Sequence, residues 1–203
     1  MMKRAGKSGT VKNQEIGCTV SGFLIRKYLN PEQKNTTWNQ SVTDWIDIRY
    51  AEVLLTYCEA ENELNGPSAQ VYTYLNMIRN RVGMPNVDEA KYNTKEKLRE
   101  LIRRERGVEF AGEGLRRADI LRWKDASGKM LAETLLNGTL ERRVGTVNMD
   151  KSVAPGMRAT IDVNASAADK KIEDRVFKTT NRYLPIPQGA RDANPKLTQN
   201  DGY

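Results

Sequence analysis

Apolar residues spaced three and four apart predict a helix over 44–65, with Asp44 as its N-cap and Asn65-Gly66-Pro67 as its stop. A polar stripe of Asp47, Glu52, Thr56, Glu59 and Glu63 separates two apolar sets. One set is Ile48, Ala51, Leu55 and Cys58; the other is Ile46, Tyr50, Val53, Tyr57 and Leu64. A helix apolar on two faces is expected to pack between neighbours. A second helix over 68–82 carries Val71, Tyr74, Leu75, Ile78 and Val82, and Gly83 with Pro85 closes it. Only a few residues separate the two, which predicts an antiparallel αα-hairpin. A third helix begins after Asn93-Thr94 with Leu98, Leu101, Ile102, Val108 and Ala111, and Gly112 and Gly114 end it. A shorter one over 115–124 carries Ile120, Leu121 and Trp123. Helix pairs of this size predict a mainly α, tetratricopeptide-like arrangement with two antiparallel pairs.

The rest of the chain is less periodic. Residues 1–20 are polar and Lys-rich, a loop, edge strand or ragged start. Gly22 to Leu29 has strand-like apolar content and Pro31 stops it; residues 32–40 form a polar loop around Trp38. Residues 129–136 predict a further turn or two of helix. The stretch 137–175 reads as loop with a short hairpin, for example 140–147 against 158–163. The end, 181–203, contains Pro185, Pro187 and Pro195, so it is expected to be an extended tail pinned by Tyr183, Leu184, Ile186 and Leu197. Trp45 and Trp123 fall on predicted helices and are expected in the core.

Charge changes this picture little. The chain of 203 residues carries a net charge of +7, but its Lys and Arg mostly alternate with Glu and Asp, the pattern of solvated helix faces. No helix has a uniformly basic stripe, and aromatics are not interleaved with one. A nucleic-acid partner is therefore not expected. Histidine is absent, which removes the commonest metal ligand and general base, and no metal or cofactor is expected. Cys58 lies on an apolar helix face, the place of a small buried thiol. Cys18 follows Glu15-Ile16-Gly17 without the apolar run that a lipoprotein signal needs. No stretch is long and apolar enough to span a membrane as a helix.

The densest chemistry lies in IRRERGVEFAGEGLRRADILRW, residues 102–123. Glu105 and Glu109 project from one helix face, whereas glycosidase carboxylates oppose each other across a cleft. They are expected to form a structural ion network with Arg103, Arg106, Arg116 or Arg122, not a catalytic pair. Gly112 and Gly114 are expected to supply a tight corner between helices. No catalytic residue is assigned. Sugar recognition uses flat aromatic faces flanked by amides. Trp38, beside Asn35 and Asn39 in a polar loop, is the leading candidate, with Tyr28 and Tyr92 as further ones.

Several separated motifs together resemble the SusD/RagB family. They are Ile48-Arg49-Tyr50-Ala51-Glu52-Val53-Leu54-Leu55 with Glu59-Ala60; the segment from Asn76 to Gly83; and Glu105-Arg106, Glu109-Phe110-Ala111, Glu113-Gly114 and Arg116, followed by Asp119 and Arg122-Trp123. The end matches as well, in Tyr183-Leu184-Pro185-Ile186-Pro187-Gln188 and in Asn194-Pro195 through Leu197, Gln199-Asn200 and Gly202-Tyr203. The resemblance covers residues 22–203. It implies one mainly helical domain over 1–203, with a ragged segment at 1–21 and a long irregular C-terminal region containing short strands. It implies the C-terminal half of a surface glycan-binding lipoprotein at the cell outer membrane. Such a protein would pass oligosaccharide or another nutrient to a TonB-dependent transporter. The signal peptide and lipidated cysteine are expected to lie outside this sequence. The alternative is a helical-repeat scaffold that contacts a protein and has no sugar site of its own.

Overall fold

A computed structural model describes residues 2–4, 27–28, 43–148, 150, 152–154 and 157–203. Cys18, most of the ragged start, most of the strand expected over 22–29 and the loop around Trp38 lie outside these residues. The chain forms two compact units, one of residues 27–117 and one of residues 1–26 with 118–203. It is mainly α, with tetratricopeptide-like helix pairs and a long irregular C-terminal region containing short strands.

The first unit is built on three helices. Helix α1 spans Tyr50–Asn65 and stops at Gly66, whose φ of +81° is available to glycine without strain. Helix α2 spans Ala69–Arg81; its N-cap is Ser68, whose Oγ accepts from the Val71 N–H at 3.4 Å. Helix α3 spans Lys95–Glu109, and Thr94 caps it by accepting from the Lys97 N–H at 3.3 Å. Both caps satisfy amides that the first turn of a helix leaves open. Helix α1 packs against both α2 and α3. The core joins Leu54, Leu55 and Cys58 of α1 to Val71, Leu75 and Ile78 of α2 and to Leu98, Leu101 and Ile102 of α3. Phe110 and Val87 close it. The Tyr72 hydroxyl reaches the wall of this core and donates to the Tyr92 carbonyl at 2.8 Å.

Buried polar groups interrupt the apolar set. The Cys58 thiol donates to the Val71 carbonyl at 3.6 Å, and burial pushes its pKa up to about 12, so it stays protonated. Asn62 is fully buried; its amide donates to the Lys95 carbonyl at 3.0 Å, while its Oδ1 has no hydrogen-bond partner.

Three expectations are corrected here. Helix α1 begins six residues later than Asp44, because Arg49 is extended, with φ −142° and ψ 158°. Trp45 therefore lies on non-helical chain and is 65% exposed, not in the core. The second apolar set of α1 is not covered: Tyr50, Val53, Tyr57 and Leu64 are exposed, as are Ile48 and, on α3, Val108. The set between α2 and α3 is filled; the outer set stays largely exposed, with the Tyr57 ring edge-on to Tyr74 of α2 at 5.1 Å between centroids.

The second unit opens at Ala118, within helix α4 (Arg116–Arg122). Trp123 is buried as expected, together with Ile120 and Ala132 of the short helix α5 (Leu131–Leu135). Strand β1 (Met2–Arg4) pairs parallel to β3 (Gly145–Val147), and β3 pairs antiparallel to β4 (Ala159–Ile161). Strand β2 (Gly138–Glu141) pairs antiparallel to β5 (Lys171–Arg175), which follows the four-residue helix α6 (Ala167–Lys170). The hairpin expected between 140–147 and 158–163 is thus half present. Residues 145–147 and 159–161 pair, but Leu140 turns to Glu173.

The C-terminal tail contains helix α7 (Gln188–Ala193). Tyr183 and Leu184 do not pin it by burial, since they are 58% and 69% exposed. Hydrogen bonds hold it instead. Gln199 brackets the Ile186 backbone at 2.8 and 3.0 Å, the Asn200 amide donates to the Leu184 carbonyl at 2.7 Å, and the Tyr203 hydroxyl donates to the Tyr183 carbonyl at 2.8 Å.

Leu75 is fully buried at the α1–α2 seam. Truncation to Ala removes its contacts and leaves a cavity, so Leu75→Ala is expected to lower unfolding free energy by about 2–5 kcal/mol in urea titration. A loss below about 1 kcal/mol would contradict this packing.

Candidate functional site

Two features of the 27–117 unit carry chemistry: a knot of ion pairs at the end of α3 and a stacked aromatic pair beside it in sequence.

The knot centres on Arg49. Its Nε donates to Glu113 Oε2 at 2.8 Å, Nη1 to Glu109 Oε1 at 2.5 Å and Nη2 to the Glu109 carbonyl at 2.7 Å. Lys27 donates to the same carbonyl at 2.5 Å and pairs with Glu113. Arg81, from the last turn of α2, donates to Glu109 Oε1 at 2.6 Å. One turn earlier on α3, Glu105 pairs with Arg79. Gly112 and Gly114, with φ of +82° and +83°, turn the chain so that Glu113 comes back beside Glu109. The Phe110 ring is buried beneath, with the guanidinium carbons of Arg49 and Arg106 at 4.8 and 5.2 Å from its centroid. Arg106 is itself buried, donates to Thr56 Oγ1 at 3.2 Å and approaches Glu59 at 3.6 Å.

The structural role expected of Glu105 and Glu109 fits this geometry, with partners that come from earlier in the chain. Arg49, Arg79 and Arg81 come from outside α3; Arg122 pairs with Asp119 at 2.7 Å. Burial raises the pKa of Glu113, but hydrogen bonds from Arg49 and Lys27 outweigh it and hold the carboxyl below its usual range. A carboxylate fixed as an anion by two cations does not donate a proton at neutral pH.

The aromatic pair is Tyr28 and Trp45. Their rings stack with centroids 4.9 Å apart and planes within 9°. Tyr28 is half-buried, its hydroxyl without a hydrogen-bond partner, and Trp45 stands 65% exposed. Of the predicted sugar-site residues, Tyr28 is therefore placed in an aromatic surface, while Trp38, Asn35 and Asn39 lie outside the described residues. Tyr92 is engaged otherwise, its hydroxyl accepting from Arg104 at 3.2 Å. Helical periodicity missed Trp45. No local signal marks it, since Ile46 and Tyr50, four apart, also fit a helical face.

Clefts open on the described residues of this unit. One of about 480 Å³ has an apolar wall of Tyr50, Leu54, Met77 and Ile78 under Arg49 and Arg81. Another, about 400 Å³, runs past Ile46 and Val82 to Lys27, Glu109 and Glu113. Among the described residues, no helix is long and apolar enough to cross a membrane.

A family model for the SusD family matches residues 5–203. SusD-like protein P25 of Formosa agariphila is 43% identical over 109 residues, which is 53% of this chain and 20% of that protein. A crystal structure of a SusD-like protein from Bacteroides fragilis aligns with a TM-score of 0.56 and 31% identity, over 79% of this chain and 26% of that one. A SusD superfamily protein from Parabacteroides distasonis gives a TM-score of 0.51 and 26% identity, over 81% of this chain and 28% of that one. The chain thus spans between 20% and 28% of the length of these relatives.

The sign of the Glu113 shift fixes a pH dependence. A carboxyl held low in the fold contributes its stability above its unfolded pKa, near 4.5, and loses it as pH falls through the lower folded value. Glu113→Gln is expected to be less stable than the parent at about pH 7, with the gap closing as pH falls below about 4. Urea titrations of both proteins across that range check it, and a gap independent of pH would contradict it.

Proposed function

The chain belongs to the SusD family, and from that premise we propose that it is part of a non-catalytic glycan- or nutrient-binding component of a TonB-dependent uptake system at the outer membrane. The observation that carries the reading is the Tyr28–Trp45 stack, an exposed flat aromatic face on a protein of this family. Sugar rings present C–H faces that pack on such surfaces, while their hydroxyls seek amides and charged groups at the edge. Trp38, Asn35, Asn39 and Tyr28 remain the proposed sugar contacts, and Trp45 joins them. The carboxylates support binding over catalysis. Glu105, Glu109 and Glu113 each have a cationic partner, and that arrangement suits a fixed corner, not a proton relay. A surface lipoprotein location and a transporter partner follow from the same family reading.

Isothermal titration calorimetry against neutral and acidic oligosaccharides, in about 150 mM salt, tests this. Saturable binding is expected, weakened about tenfold or more by Trp45→Ala and by Trp38→Ala, the loss of one aromatic stacking contact. Circular dichroism of each variant separates lost binding from lost folding. A folded parent chain that binds none of the sugars would reject a glycan site in this part of the protein.

A further inference from the structure

Gly107 lies in the interior of α3 with an ordinary helical backbone, so no turn requires glycine there. Inside a helix glycine is destabilising relative to alanine, because its backbone loses more freedom on folding. The space beside it gives a reason for its presence. A Cβ at this position would stand 3.2 Å from Nη1, 3.5 Å from Cζ and 3.9 Å from Nη2 of Arg116, and outside the backbone of α3 these are the nearest atoms it would meet. The Arg116 guanidinium thus rests where a side chain would begin.

The same short loop grips α3 from the other side. Residues two apart on a helix are turned by about 200°, so Gly107 and Glu109 face nearly opposite ways. Glu109 faces Arg49 and Arg81, and Gly112 and Gly114 bring Glu113 back to that side, where it meets Arg49 and Lys27. Arg116 then reaches the Gly107 side. Between them the Glu113 N–H donates to the Phe110 carbonyl at 3.0 Å and closes the loop over the helix end. A loop gripped on one side only is free to swing about that end, whereas one gripped on two sides has a single position.

We propose that Gly107 and Arg116 form a clasp: the glycine leaves a seat on α3, the guanidinium occupies it, and the corner is held with Glu113 facing Arg49 and Lys27. Arg116 is then a positioning residue. A planar guanidinium suits a bare stretch of helix backbone better than a lysine ammonium does. Lys27 adjoins Tyr28, and Arg49 follows Trp45 by four residues, so what fixes Glu113 also fixes the chain segments that carry the stacked rings. The clasp does not depend on what that aromatic face binds.

Carboxyl NMR of the 203-residue chain labelled at glutamate, with Glu113→Gln to assign the signal, reads the clasp directly. Burial raises the Glu113 pKa, but hydrogen bonds from Arg49 and Lys27 hold it below its usual range. Arg116→Ala and Gly107→Leu are each expected to let it rise toward that range. A purely helical role of Gly107 would leave it where it is. Urea titration adds a sign. Leucine is the better helix former, so Gly107→Leu should raise the unfolding midpoint in an Arg116→Ala background, where the seat is vacated, and lower it in the parent, where the seat is taken. Circular dichroism shows which variants fold; if Gly107→Leu does not, Arg116→Ala still reads the carboxyl. A Glu113 titration unmoved by Arg116→Ala, or a Gly107→Leu effect of the same sign in both backgrounds, overturns the proposal.

Discussion

The bond between Arg49 and the carboxylates of Glu109 and Glu113 sets the form of the helical unit. It ties the residue that precedes α1 to the residues that close α3, across sixty positions of chain. A guanidinium in contact with two glutamates and a main-chain carbonyl needs its backbone extended to reach them. Arg49 is extended and is the N-cap of α1, which starts at Tyr50. Removing one partner of such a part-buried network leaves the other charges without compensation. The network is therefore better understood as fixing geometry than as adding net stability.

Much of the surrounding structure follows from that constraint. With Arg49 held, the segment from Thr43 to Ile48 cannot continue the helix, and Trp45 is carried out to stack on Tyr28. With Glu109 and Glu113 held, Phe110 is trapped under two guanidiniums and cannot leave the core. The aromatic surface and the charged corner are thus two results of one anchoring event. An aromatic face set on chain fixed in this way would lose little entropy to a ligand packed on it.

The parts of this fold that sequence revealed are the local ones. Ser68 and Thr94 cap the helices that they announce, Gly66 ends α1, and the filled face of α1 is the set Ala51, Leu55 and Cys58. Family motifs carried the identity. What periodicity did not reveal depends on distant partners. The glutamates of α3 take arginines from α2 and from position 49 because the fold brings those side chains together, and sequence spacing holds no record of it. Leu140 pairs with Glu173 for the same reason. The tail is held by Gln199 and Asn200 amides, which carry no hydrophobic signature. Of the stacked aromatic pair, Tyr28 was proposed from sequence as a sugar contact, whereas Trp45 was masked by a helical pattern that ends at the extended Arg49.

Asn62 carries a consequence of another kind. A fully buried amide between α1 and α3 is a poor contributor to stability, since one of its two polar atoms is left unbonded. Its value lies in alignment. Its NH₂ group finds the Lys95 carbonyl only when the first turn of α3 stands opposite the last turns of α1. A slip of one helical turn would strand that donor as well, at about 1–3 kcal/mol, while costing the surrounding leucines little. Leucine on leucine tolerates many alignments; one amide on one carbonyl tolerates a single one. Asn62 acts as the notch that makes the helices stop sliding at the position where Glu109 and Glu113 can meet Arg49.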